Sequence, residues 1–297
     1  MKKDTLNSLV SRNSIDEVFG YIDKFFIDTE LEQDLILIKS RYEENKKQSN
    51  QGTIRHDDYE VTLNKIKVAL LDWISKIPSK SHKKWDIQNV EHKLETIFND
   101  NSDLDLKKLL QQNSFLFYDI YTRKQIQPNF YSVDIGEQLI CDFAWLNDNS
   151  DAPEWVLVTI GKPKLELPSI PNTLPFELNK SIERVKDIER YFIENPNEKK
   201  RIFGAVGKFR FVLIIGDSAF WQDETMGIWR RNHNATNKIE IRTTSVFDVA
   251  IKILKNQPDS FWSFQENPKS LPKHKLEQFC NKYSYMKIMK RLSEYWE

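Results

Sequence analysis

The sequence predicts two domains of different class: a small all-α bundle over the first 78 residues, then an α/β domain of α+β character built on a mixed sheet. Three observations carry this expectation. Tyr59, Leu63, Ile66, Leu70, Trp73 and Ile77 recur at alternating four and three spacings, which makes one apolar stripe along a helix. "EWVLVTI" from residue 154 and "KFRFVLIIGD" from residue 208 are nearly continuous apolar runs, the pattern of central strands covered on both faces. Between them "FELNKSIERVKDIERYFIEN" returns to helical spacing, with Leu178, Ile182, Val185, Ile188 and Phe192 on one side.

Taken in order, the first helix opens at about Ile15, because Ser14 and Glu17 have the spacing of a capping box. "DLILIKSRYEENKKQ" supplies a middle helix. "SNQGTIRHDD" supplies the turn after it, with Gly52 as breaker and an aspartate near the next helix start. No proline occurs before Pro78, so residues 1–78 read as a bundle of three or four helices. The polar "PSKSHKKWD", 78–86, breaks the periodicity and reads as a linker, so that 79–104 comprise linker and leading helix. "LKKLLQQNSFLF" is a helix ending near Asn113, and "EQLICDFAWL" a strand with Leu139, Cys141, Phe143 and Trp145 on one face. "KIEIRTTSVFDVAIKIL" adds a strand and a helix. Residues 105–254 therefore run helix, strand, strand, helix, strand, strand, helix, and 255–297 form a helical extension read as a loop and one closing helix.

Composition narrows the function classes. With 39% hydrophobic residues and 12% aromatic ones the chain can fill two cores, while 30% charged residues supply a water-facing surface. The longest apolar stretch, "FVLIIG", is far shorter than the roughly 20 residues that cross a bilayer. The first residues lack the apolar segment of a secretory signal, so the expected setting is cytoplasmic, with no membrane partner. Cys141 and Cys280 lie 139 positions apart with no paired spacing, which argues against a zinc cage or a disulfide framework. Lys plus Arg equals Asp plus Glu at 44 each, which withholds the support expected of a dedicated nucleic-acid binder; only 255–297 lean basic, eight against five.

The N-terminal bundle, residues 1–78, resembles the type-eleven effector-associated domain of bacterial conflict systems. The cues are Arg41 and Tyr42, the glycine turn at Gly52, Tyr59 with Glu60, Asn64 with Ile66, and Ala69 to Leu71. The resemblance implies like-with-like pairing with a protein that carries a matching domain, or a homo-oligomer, and makes Arg41, Tyr42, Tyr59 and Asn64 the expected partner contacts.

Residues 105–254 resemble the Shedu family of anti-phage nucleases, of the PD-(D/E)XK superfamily. The motifs are "LLQQNSFLF", "ICDFAWL" with its strand aspartate, "WVLVTIGKPK" where the family reads a strand with Glu-x-Lys, and "TTSVFDVAIKIL". The resemblance implies a restriction-endonuclease-like mixed sheet and magnesium-dependent DNA cleavage. In such a site the strand aspartate and the next strand's acid hold Mg²⁺, a hard cation that takes oxygen ligands, and the lysine two positions on stabilises charge or positions water. Here the aspartate is Asp142, the acid position is Thr159, the lysine position is Gly161, and Arg184 stands where many relatives place a glutamine. Threonine brings no charge and glycine no side chain, so the expectation is lost catalysis with no cofactor. The alternative is an active endonuclease with Mg²⁺ on Asp142 and a site rearranged around Lys162 or Lys164 and Glu183 or Glu177.

Each of these residues also has a plain structural explanation. Asp142 fits the polar position of a half-exposed strand, Thr159 suits a sheet, and Gly161 suits a bulge or the close approach of another backbone. Pro163, Pro168, Pro171 and Pro175 shape an extended loop that could form a partner lip. His56, His82, His92, His233 and His274 show no ligand spacing. "GAVGKF" reads as a turn, since its lysine leads into a strand. In "IWRRNH", Arg230 and Arg231 beside Trp229 are either phosphate contacts with an aromatic neighbour or part of a solvated loop; with Arg184 they are the expected nucleic-acid contacts, possible DNA among the partners. The basic and aromatic residues of the last helix read as packing. Together these readings predict a bacterial immunity component that acts by homotypic binding and carries a degenerate nuclease-like domain. The other readings are an active metal-dependent endonuclease and a structural protein with no nucleic-acid role.

Overall fold

A computed structural model describes residues 3–22, 31–77, 85–121, 128–136, 139–147, 152–170, 173–261, 264 and 268–293. The chain divides into two compact units, Met1–His82 with Lys282–Ser284, and Lys83–Asn281 with Tyr285–Glu297. Of the expected linker, residues 78–84 lie outside the described residues, as do His82 and Pro171.

Among the described residues the first unit holds four helices: α1 (Lys3–Ser11), α2 (Ile15–Ile22), α3 (Leu31–Asn50) and α4 (His56–Lys76). The stripe on α4 is buried from Leu63 through Ile66, Leu70 and Trp73 to Ile77, just past its end. It meets Leu35, Ile38 and Tyr42 of α3, Leu6 and Val10 of α1, and Val18, Phe19 and Ile22 of α2. Each large apolar side chain buried this way contributes about 1.5–3 kcal/mol. The indole N–H of Trp73 donates to the Leu31 carbonyl at 2.7 Å, which ties the end of α4 to the start of α3.

The turn between α3 and α4 depends on one glycine. Gly52 has a φ of 67°, its N–H donates to the Ser49 carbonyl, and the Thr53 N–H donates to that of Gln48. This pair of bonds closes the orphan carbonyls of a helix end, and glycine adopts the left-handed conformation it needs without a Cβ penalty. Arg55 caps α4 with no side-chain bond, and Asp57 and Asp58 in the first turn complement the helix dipole.

The second unit opens with α5 (Ile87–Asn99) and α6 (Asp103–Gln112), capped by Asp86 and Ser102, whose side chains accept from Asn89 N and Asp105 N. A short 3-10 turn, Ser114–Phe117, leads to the sheet. Its strands are β1 (Phe130–Asp134), β2 (Ile140–Asn147), β3 (Glu154–Ile160), β4 (Lys208–Ile214), β5 (Ile239–Arg242) and the two-residue β6 (Leu271–Pro272). The spatial order is β5-β4-β3-β2-β1-β6. β2 is antiparallel to both β1 and β3, while β4 runs parallel to β3 and to β5, and β6 parallel to β1, so the sheet is mixed.

The two continuous apolar runs are adjacent central strands, as their composition requires. One face of the sheet packs Phe143, Trp145, Val156, Val158, Ile160, Val212 and Ile214 against α5, α6, the 3-10 turn and α11 (Ser245–Asn256). On the other face Trp155 and Phe209 pack tilted or edge-on against Phe203 of α8 (Pro196–Phe203), Phe209 stacks on Phe192 of α7 (Phe176–Glu194), and Trp155 meets Phe279 of α12 (His274–Lys282) edge-on.

Three elements differ from the sequence reading. "IWRRNH" is not a loop: α9 (Ser218–Gln222) and α10 (Glu224–Thr236) fill the crossover from β4 to β5, and Arg230 and Arg231 sit on α10. Asp223 caps α10 by accepting from Met226 N, and Gly227 is needed because a Cβ there would lie 2.9 Å from the Trp221 carbonyl oxygen. The closing segment holds two helices, α12 and α13 (Ser284–Ser293), with buried Tyr283 between them. "FYSVD" forms β1, in which Ser132 takes a φ of 52°.

Candidate functional site

Where β2 begins and β3 ends, side chains from α6 and α7 converge on Asp142. β2 carries Asp142 at 8% exposure, and continuing the β2–β3 register places it opposite Thr159, which is 3% exposed. Asp142 Oδ2 accepts the Ile160 backbone N–H at 2.8 Å. Arg184 of α7 closes over the carboxylate, with Nη2 3.2 Å from Oδ1 and Nη1 3.5 Å from Oδ2, and Nη2 also donates to the Ile140 carbonyl at 2.7 Å. Lys107 of α6 brings its ammonium to 3.3 Å from Oδ1.

The contacts continue outward. Lys107 Nζ lies 3.2 Å from Asp103, and Asp103 in turn lies 3.1 Å from Lys162 Nζ. Burial alone would push the Asp103 carboxyl up, but Lys162 and Lys107 together outweigh it and hold the group below its ordinary value of 3.8. Asn101, at a φ of 50°, accepts from Lys162 Nζ with its carbonyl at 3.4 Å and from Lys164 N with its side chain at 2.8 Å. Asparagine tolerates that left-handed conformation, so the loop between α5 and α6 can pin the chain as it leaves β3.

Of the residues expected to act in catalysis, Asp142 and Lys162 join one network, through Lys107 and Asp103 rather than directly. Glu183 does not join it; its carboxylate pairs with Lys186 at 2.8 Å on the outer side of α7. Gly161 is buried, and a Cβ there would lie 2.6 Å from Ile215 Cδ1 and 3.0 Å from Ile215 Cβ. The place of a lysine side chain is thus filled by Ile215, and the close approach is to a side chain. Lys107 had no sequence signal: it lies 35 positions before Asp142 in an ordinary amphipathic helix.

These residues do not fit a divalent cation. Magnesium takes near-octahedral oxygen ligands, and Asp142 offers two oxygens already engaged by a guanidinium, an ammonium and an amide N–H. An ion placed there would lie beside two cations, at roughly 4 kcal/mol of repulsion for each pair of unit charges 4 Å apart near a surface. Among the described residues no group of three His, Cys, Asp or Glu could hold a metal.

The other expected contacts fall elsewhere. Arg230 and Arg231 line a separate cleft with Arg242, and Arg230 lies over the Trp221 ring at 5.2 Å. In the first unit Arg41 and Asn64 are exposed and Tyr59 is partly buried. Tyr42 is buried, its ring 5.6 Å from that of Phe19 and its hydroxyl bonded to Asp16, contacts that push its pKa up to about 12, burial being the larger cause. No described helix is long and apolar enough to cross a membrane.

Residues 1–78 match effector-associated domain 11. Comparison with curated proteins finds none that matches the chain.

Proposed function

We propose, on the premise that residues 1–78 are an effector-associated domain, that the protein is a conflict-system component that works by binding. Its first unit pairs with a matching domain, and its second is a Shedu-like, non-cutting platform that binds nucleic acid. The observation that carries the pairing is on α4. At 100° per residue, Val61 and Val68 lie within about 20° of each other and opposite the buried stripe. They are 53% and 67% exposed, apolar positions on a face that the bundle leaves to solvent. The salt-bridge network around Asp142 supports the non-cutting half of the reading, because the carboxylate is neutralised from within.

Two differently tagged full-length copies, co-expressed, test the pairing. The parent is expected to co-purify with itself or with a neighbouring-gene protein that carries the same domain. Val61→Glu with Val68→Glu is expected to abolish this without lowering the melting temperature. Absence of pairing with either partner overturns the reading. Incubation of the full chain with supercoiled and linear DNA under Mg²⁺ and then Mn²⁺, beside Asp142→Ala, tests the second half: cutting by the parent that vanishes in the variant would establish the endonuclease reading instead.

A further inference from the structure

At the β5 edge of the sheet, away from Asp142, the second unit gathers three guanidinium groups. α10 contributes Arg230 and Arg231, and β5 contributes Arg242; with Asn234, Thr243 and Asp119 they line an open cleft of about 380 Å³. The support beneath it is rigid. Asn234 donates to the Ile241 carbonyl at 3.0 Å and accepts the Ile241 N–H at 2.8 Å, so α10 closes the exposed edge of β5. The Trp221 indole N–H donates to the Ile215 carbonyl at 2.7 Å, which fixes the ring over which Arg230 lies.

The charges in the cleft do not cancel. Arg242 is paired, with Nη2 2.9 Å from Asp119 and Nε 3.3 Å from Glu240. Among the described residues Arg230 and Arg231 have no carboxylate within ion-pair distance. Burial first, and then the neighbouring charges of Arg242 and Arg231, hold the Arg230 guanidinium below its ordinary value, so this cation is partly desolvated and also crowded by like charge. Arginine does not escape such crowding by losing a proton; it is relieved by an anion. Planar guanidinium forks match the oxygens of a phosphate in pairs.

We propose that this cleft binds the phosphodiester backbone of duplex nucleic acid. The proposal rests on the reading above that the second unit binds nucleic acid, and it assigns that binding to a place distinct from Asp142. Backbone rather than base recognition follows from the aromatic neighbour. The Trp229 ring already stacks on His233 at 4.9 Å and on Trp221 at 6.4 Å, so it is committed within the fold and does not serve as a platform for an unpaired base. The start of α11 is not the source of the affinity either. Ser245 N already donates to Thr243 Oγ1, Val246 N to the Thr243 carbonyl and Phe247 N to that of Thr244. A net charge of zero is no obstacle, because charges beyond about 10 Å are largely screened at 0.1 M salt and a phosphate in the cleft meets the local arginines.

Fluorescence anisotropy of a short labelled duplex with the full chain, at low and rising salt, tests this. Arg230→Gln with Arg231→Gln is expected to weaken binding about tenfold or more, equally for unrelated sequences, and to reduce the slope of log affinity against log salt by about 2. Arg231→Gln alone, on an exposed side chain, should show about half that change in slope. It keeps the test sound if the double variant folds poorly. Arg190→Gln removes a surface charge elsewhere and should change neither measure. Binding by the parent that the double variant retains with the same slope overturns the site and leaves nucleic-acid binding standing. If the parent binds inorganic pyrophosphate, by thermal shift, but no duplex, both the backbone proposal and the nucleic-acid reading fall. Binding of neither probe overturns both as well.

Discussion

Arg184 closes over Asp142 with both terminal nitrogens, Nη2 at 3.2 Å from one carboxylate oxygen and Nη1 at 3.5 Å from the other, across the gap between α7 and β2. Removing the two residues should not cost the same. Asp142 is the common acceptor for Arg184, Lys107 and the Ile160 N–H, so Asp142→Ala takes an acceptor from all three at once, leaving Arg184 only the Ile140 carbonyl, Lys107 only Asp103, and the Ile160 N–H without the carboxylate it donates to. Arg184→Gln leaves Asp142 with two of its three donors. Urea unfolding is expected to show Asp142→Ala destabilised by about 3 kcal/mol and Arg184→Gln by about 1 kcal/mol. A reversed order would show that the guanidinium, not the carboxylate, organises the site.

Asp103 gives the network its acid dependence. Its carboxyl titrates below the ordinary 3.8, held there by Lys162 and Lys107 against the opposing effect of burial. A depressed carboxyl contributes stability that is fully present above its unfolded value and is lost as pH falls through the lower folded value. Unfolding free energy measured from pH 6 downward should therefore begin to lose this contribution near pH 4 and continue to lose it below that. Asp103→Asn should flatten that part of the curve while leaving the profile above pH 5 unchanged.

Gly161 has no room for a lysine side chain. Ile215 occupies the position of its Cβ, so Gly161→Ala is expected to cost about 1–3 kcal/mol through overpacking. Gly161→Ala combined with Ile215→Val should recover part of this loss. Thr159→Glu with Gly161→Lys should yield no magnesium-dependent cleavage, because it adds a buried acid without removing Arg184 or Lys107. Thermal unfolding and a plasmid-nicking assay read the two outcomes.

Neither cysteine should react in the folded protein. Cys141 and Cys280 are buried at 0% and 2% exposure, and burial, their largest influence, pushes both thiols up to about 12. Alkylation with iodoacetamide at pH 8 is expected to modify neither until denaturant unfolds the chain. Fast labelling of either one in buffer would show that its side of the sheet opens locally.

Much of the fold was legible because periodicity reports burial. β3 and β4 were readable as continuous apolar runs because both faces are covered, and α4 and α7 because each buries one stripe. α10 was hidden by Gly227, which lowers helical expectation but fits where the helix meets the Trp221 carbonyl. β1 was hidden because Ser132, with its left-handed φ, interrupts the alternation. In the site, Thr159 and Gly161 were located only through the resemblance of "WVLVTIGKPK" to a strand with Glu-x-Lys. Lys107 could not be located, since its approach to Asp142 depends on how α6 packs beside the sheet, a long-range outcome that leaves no local pattern.

The row Arg184, Asp142, Lys107, Asp103, Lys162 alternates in sign through its five members. An odd alternating row must finish on the sign with which it starts, so both of its ends are positive. Those ends are also its most open members, at 36% for Arg184 and 39% for Lys162, while Asp142 lies innermost at 8%. By parity alone, the mouth of this network greets any arriving cation with its own sign, and offers its attraction to acids.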